Sequence, residues 1–163
     1  GAGDVYCVGT RKNCMDVAAK YGATDFLSYK NGDLAAQILE RTHGKGVDKV
    51  VVAGGNADTF DAAIRMVKPG GIIANVNYLG EGDFVKIPRA EWGCGMAHKQ
   101  IRGGLMPGGR LRAERLAAMV ETGRIDPSLM ITHRFHGFGH IEEALLLMKN
   151  KPADLIKPVV YLD

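Results

Sequence analysis

Four consecutive residues, Gly9-Thr10-Arg11-Lys12, close the first apolar run of the chain and carry the groups that hold a phosphate. Glycine leaves room, the threonine hydroxyl donates a hydrogen bond, and arginine offers a planar fork that matches phosphate oxygens. In an α/β unit that binds a dinucleotide, this strand end normally carries Asp or Glu, which accepts hydrogen bonds from the ribose hydroxyls. A carboxylate there would repel a 2′-phosphate. None is present, so the quartet points to NADP in preference to NAD. Lys12 either adds charge or is simply solvated, and without its context the quartet also reads as a turn with two exposed basic residues. A second run, Asn75-Val76-Asn77-Tyr78, ends another strand. Ligands of open α/β sheets sit beyond such carboxyl ends, which lets the backbone of Val76 and Asn77 face the nicotinamide side of the cofactor. Tyr78 reads equally well as an aromatic of the core.

Two groupings invite a metal assignment and do not receive one. Glu91, Cys94 and His98 are zinc-ligand types spaced to lie roughly on one face of a helix, yet a partly buried thiol is ordinary. His133, His136 and His140 form no H-E-x-x-H pair, and Gly137 and Gly139 place the last two in a loop. Gly1-Ala2-Gly3 precedes a strand instead of following one, so it is not a phosphate-cradling turn.

The elements that must position these residues alternate between strands and helices. Asp4–Gly9 reads as a strand, 11–21 as a helix, 25–29 as a strand and Leu34–Thr42 as a helix. Val47–Ala53 is continuous and β-branched, the pattern of a strand covered by helices on both faces. A helix from Thr59 to Val67 is stopped by Pro69-Gly70-Gly71, and 72–77 forms the next strand. A helix is expected around Glu91–Met96, a short run at Lys99–Gly103, a helix over 111–122, a strand over 132–135 and a helix over 141–149. Leu155–Leu162, interrupted by Pro158, reads as an edge strand. The expected fold is α/β, a Rossmann-like parallel sheet with helices on both faces that lacks its first strand and glycine-rich turn.

Composition narrows the class further. With 163 residues, 46% hydrophobic and 24% charged, the chain can bury a real core, and disorder is excluded. A net charge of +3 without a Lys/Arg block implies no nucleic-acid partner. No apolar run is long enough to span a membrane, and no signal segment opens the chain. Three cysteines without a C-x-x-C pair suit a reducing cytoplasm better than a disulfide framework.

Several motifs together are specific. Gly44-Lys45-Gly46-Val47-Asp48 and Lys68-Pro69-Gly70-Gly71 are joined by Glu91 to Lys99, Gly103-Gly104-Leu105, Pro107 to Leu111 and the tail from Lys151-Pro152 to Val160. Along nearly its whole length the chain resembles the bacterial and protist NADP-dependent secondary-alcohol dehydrogenases of the zinc-dependent medium-chain dehydrogenase/reductase family. The resemblance covers the second half of that family's subunit, and the chain is read as a fragment. It implies that Gly9, Thr10 and Arg11 select the 2′-phosphate with Tyr29 as partner, that Asn77 lies at the cofactor and that Lys151 lies near it. Tyr78, Leu105 and Met106 match substrate-pocket positions, although many relatives carry Cys where Met106 stands. Met96 matches a residue that reaches into a neighbouring subunit's pocket, which implies a homo-oligomer, a tetramer in the resembled family. The family's zinc is bound by Cys, His and Asp residues of an N-terminal domain, so no catalytic residue and no metal ligand is expected in this fragment.

On this reading residues 1–150 form a partial dinucleotide-binding domain, and 151–163 return to the absent catalytic domain. The implied activity of the parent is hydride transfer between NADP(H) and a small secondary alcohol or ketone, with zinc as Lewis acid and the fragment inactive alone. Two alternatives stand beside it: a non-catalytic nucleotide-binding or assembly module, and a zinc-free quinone reductase of the same superfamily. A doubly wound sheet without its central first strand has two unpaired edges, which predicts a swapped or rearranged assembly, or low stability.

Overall fold

The computed structural model describes residues 1–162 and forms two compact units, Gly1–Ser28 with Gly108 onward, and Tyr29–Pro107. Every strand ladder is parallel, and the strands fall into three sheets: β1-β2, β3-β4-β5 and β6-β7. No described helix is long and apolar enough to cross a membrane.

In the first unit, β1 (Tyr6–Val8) pairs with β2 (Asp25–Leu27), and α1 (Lys12–Lys20) connects them. This is a right-sized βαβ crossover, since parallel strands need a dozen or more residues between them. The same unit holds α4 (Arg110–Glu121), β6 (Ile131–His136), α5 (Ile141–Asn150) and β7 (Lys157–Tyr161). Pro158 sits in β7 opposite His133, and β7 has β6 as its single partner, as a proline-bearing edge strand requires. Its core is thin: Leu27, Ala144 and Leu155 are the buried hydrophobics of this unit, and α4 buries none of its residues.

The second unit carries the larger core. It holds α2 (Leu34–Arg41), β3 (Val47–Val52), α3 (Thr59–Met66), β4 (Val67–Asn75) and β5 (Gln100–Gly103), of which β3, α3 and β4 bring together Val52, Phe60, Ala63, Ile64, Val67 and Ile73. Leu79, Ile87 and Trp92 pack against this cluster.

Three expectations are corrected. The segment around Glu91–Met96 is no α-helix but a 3-10 turn at Gly93–Gly95, because Cys94 itself takes a left-handed backbone at φ 53°. Pro69-Gly70-Gly71 does not separate helix from strand. β4 already pairs at Val67 with Val47, and its next pair is Ile72 with Lys49, so the proline and glycines bulge out of the strand. β3 is also not covered on both faces, since Val51 is 65% exposed while Val52 is buried.

Asp33 ties α2 to α3. Its Oδ1 accepts the N-cap hydrogen bond from the Ala36 N–H at 2.9 Å, and its Oδ2 meets Arg65 Nη2 at 2.6 Å. The Ala36 N–H and the Arg65 guanidinium hold its carboxyl below the usual carboxylate range. A depressed folded-state pKa gives stability that is present above the unfolded value of about 4 and is lost as pH falls through the lower folded value. Asp33→Ala is expected to cost about 1 kcal/mol near neutrality. In thermal melts the gap between variant and parent should close below pH ~4; a gap that stays constant into acid would remove Asp33 as its source.

Candidate functional site

The strand end singled out by sequence is open in the structure. The Gly9 N–H continues the β1-β2 ladder by donating to the Leu27 carbonyl at 3.0 Å, and a Cβ at Gly9 would meet nothing within 4 Å. Arg11 takes the N-cap position of α1 with an extended backbone, and no acidic residue stands in the first helical turn. A positive dipole end therefore adjoins the arginine, an environment suited to an anion. Arg11 Nη1 donates to the Leu155 carbonyl at 2.5 Å, and Asn13 Nδ2 donates to the Asp154 carbonyl at 2.8 Å. These two bonds bring the turn that follows Lys151 to the start of α1. Lys151 caps α5 in the left-handed region, at φ 45°. Lys12 instead turns along its own helix to Asp16, 2.9 Å away, with both side chains exposed. Its charge is therefore spent on a surface i, i+4 pair worth a few tenths of a kcal/mol, on the order typical of such pairs. Tyr29, 59% exposed, opens the 3-10 turn Tyr29–Asn31 just after β2.

A second group collects at the carboxyl edge of the three-stranded sheet. Val52 pairs with Asn75, and Asn75 with Gly103, so Gly54-Gly55, Val76-Asn77-Tyr78 and Leu105-Met106 all leave the sheet at one edge. The Val76 N–H donates to the Val52 carbonyl at 3.0 Å, and Asn77 Nδ2 reaches the Gly55 carbonyl at 3.0 Å. Asn75 closes the turn on itself, its Nδ2 donating to the Asn77 carbonyl and its Oδ1 accepting the Asn77 N–H. A recess of 340 Å³ is lined here by Gly55, Asn56, Ala57, Tyr78, Leu79, Gly80 and Glu81. Tyr78 is 90% exposed, which removes the core-packing reading, and Leu105 is 98% exposed. Met96 is placed differently. It lies just before β5, near Ala97, whose carbonyl accepts from the Gly70 N–H at the opposite edge of the sheet. The structure thus joins Tyr78, Leu105 and Met106 on one edge and leaves Met96 off it. Gly55 and Asn56 belong to this edge without having been singled out in the sequence; the rule that ligands sit beyond strand ends would have found them just after β3.

The metal-like groupings resolve into structural contacts. Among the described residues no three of His, Cys, Asp or Glu gather closely enough to hold a metal ion. The loss of the helix at 91–96 separates Glu91, Cys94 and His98 from any common helical face, and Arg89 Nη1 lies 3.1 Å from the Cys94 sulfur. His136 stacks on Tyr161, while His140 stacks on Phe135 and bonds Glu143 at 2.9 Å. Lys99, whose ammonium is pushed toward neutrality by burial, donates to the Ile64 carbonyl at 2.7 Å and so caps the end of α3. The described residues do not fit a zinc centre.

The sequence pattern of the zinc-binding dehydrogenases matches residues 1–122. The chain belongs to that family. Among curated zinc-binding dehydrogenase relatives, the NADP-dependent isopropanol dehydrogenase of Entamoeba histolytica is 63% identical over 99% of this chain, and that of Clostridium beijerinckii is 61% identical over 99%. The Thermoanaerobacter brockii enzyme of the same name is 59% identical. The chain spans 44% to 46% of the length of these relatives. Its fold is that of solved alcohol dehydrogenases. All of the chain superposes on 45% of an alcohol dehydrogenase from Thermus sp. ATN1, with a TM-score of 0.84 at 22% identity. A zinc-binding dehydrogenase from Sinorhizobium meliloti bound to NADP gives 0.79 over 98% of this chain and 45% of that one, at 25% identity.

Proposed function

We propose that this chain is the cofactor-selecting part of an NADP-dependent, zinc-dependent oxidoreductase whose substrate is a small secondary alcohol or ketone. The observation that carries the proposal is the strand end Gly9-Thr10-Arg11, which has space at Gly9, a guanidinium at the N-terminus of α1 and no carboxylate. High identity to relatives named for NADP and isopropanol supports the same reading. When bound, the cofactor supplies the hydride-carrying nicotinamide and the parent's zinc a Lewis acid. This chain's own residues bind and orient: Gly9, Thr10, Arg11, Tyr29 and Lys151 receive the 2′-phosphate end, and Val76 and Asn77 line the nicotinamide side. Tyr78, Leu105 and Met106 form one wall of the alcohol pocket. Met96 serves the pocket of a neighbouring copy in a homo-oligomer, a role compatible with its 77% exposure away from the Tyr78 edge. In this scheme residues 1–150 are the nucleotide-binding part and 151–163 return to the catalytic domain of the parent. Three free cysteines suit a reducing cytoplasm.

The test is turnover. The longer parent should oxidise NADPH in the presence of a small ketone and lose that activity to a zinc chelator, whereas the 163-residue chain alone should not turn over. NADPH binding by the parent without ketone reduction would favour a non-catalytic nucleotide-binding module. Chelator-resistant reduction of quinones would favour a zinc-free quinone reductase.

A further inference from the structure

We propose that Asn13 is a positioning residue for cofactor choice, acting through the Pro152–Leu155 turn to hold Arg11 in the orientation that receives the 2′-phosphate. The proposal rests on the reading of Arg11 as a phosphate ligand and adds how that ligand is held. An arginine with a free side chain samples many rotamers and loses them on binding, so a fixed acceptor that restrains the guanidinium beforehand favours the complex. Here the acceptor is the Leu155 carbonyl, 2.5 Å from Arg11 Nη1. That carbonyl is itself held in place: the Leu155 side chain is 4% exposed and its N–H donates to the Pro152 carbonyl at 3.1 Å.

Asn13 grips the adjacent carbonyl. Its Nδ2 donates to Asp154 O at 2.8 Å, while its Oδ1 accepts the Cys14 N–H at 2.9 Å, so both ends of the amide are used and its orientation is determined. Two neighbouring carbonyls of the turn are therefore taken by two side chains at the start of α1. The far side of the turn is held by β6, through the Ile156 N–H donating to Thr132 Oγ1 at 3.0 Å and His133 Nε2 at 3.6 Å from an Asp154 carboxylate oxygen. Asn13 thus ties α1 to a turn that is also anchored to β6. A guanidinium has five N–H donors; the Leu155 carbonyl occupies a single nitrogen, and the remaining donors are available to a phosphate. NADH lacks the 2′-phosphate and draws nothing from this arrangement.

Asn13→Ala in the full-length enzyme should raise the KM for NADPH about three- to tenfold, with kcat and the KM for NADH unchanged. Added to Arg11→Ala, it should have no further effect, because it acts through Arg11. Equal losses for both cofactors, or an effect that adds fully to that of Arg11→Ala, would overturn the proposal and leave Asn13 a structural residue. If Arg11→Ala alone does not alter the KM for NADPH, the phosphate-ligand reading itself fails, and the role of Asn13 falls with it.

Discussion

Arg11→Ala in the full-length enzyme is expected to raise the KM for NADPH about ten- to a hundredfold while the KM for NADH stays within about twofold. Hydrogen bonds to a charged group contribute more than neutral ones, and the fork geometry of arginine serves phosphate oxygens in a way an ammonium does not. The position of Arg11 at the head of α1 adds the favourable dipole end, and the absence of an acidic residue in that turn leaves its effect uncancelled. Gly9→Asp provides the complementary change. A Cβ there meets nothing within 4 Å, so an aspartate can be introduced without a clash at its Cβ, and its carboxylate repels the 2′-phosphate and offers acceptors to a ribose. The double variant should prefer NADH. Steady-state kinetics with both cofactors decides the matter: parallel loss for NADPH and NADH would mean that Arg11 supports the fold of the strand end and does not recognise the phosphate.

Local patterns were enough to foresee this strand end. The alternation of β-branched runs and helical stretches placed β1, α1 and β2 within a residue or two, and the proposed preference for NADP rests on four adjacent residues. Long-range contacts were a different matter. The bond from Arg11 to Leu155 spans 144 positions, and no periodicity near residue 11 announces it. The sequence pattern suggests a helix around Glu91–Met96, but Gly93, Gly95 and a left-handed Cys94 fold the segment into a single tight turn. Tyr78 was ambiguous because aromatic residues are so often interior; its exposure follows from Asn75 and Asn77, whose mutual hydrogen bonds turn the chain out of the sheet. The bulge in β4 was hidden for a related reason. Pro69-Gly70-Gly71 reads as a stop, and only the pairing of Val67 with Val47 shows that the strand has already begun.

That bulge explains a second large effect. Gly46→Ala is expected to destabilise the protein by about 3 kcal/mol, through two costs that add. The residue sits at φ 78°, where an L side chain is strained by about 1–2 kcal/mol. Its Cβ would also lie 2.6 Å from the Met66 carbonyl oxygen and 3.1 Å from the Lys68 nitrogen, both backbone atoms at the junction of α3 and β4. Neither can swing aside, since Met66 ends a helix and Val67 is already paired with Val47. Lys68 further pins the junction through its ion pair with Asp48, whose carboxyl the ammonium holds below the usual range. Gly44 supplies the control, because its φ of 79° is nearly the same but a Cβ there meets nothing within 4 Å. Gly44→Ala should therefore show the backbone strain alone, about 1–2 kcal/mol. Denaturant unfolding of the two variants isolates the close approach of β3 to the helix end. A Gly46 variant no less stable than the Gly44 variant would mean that the junction yields, and that the glycine spacing of Gly44-Lys45-Gly46 reflects turn geometry without tight packing.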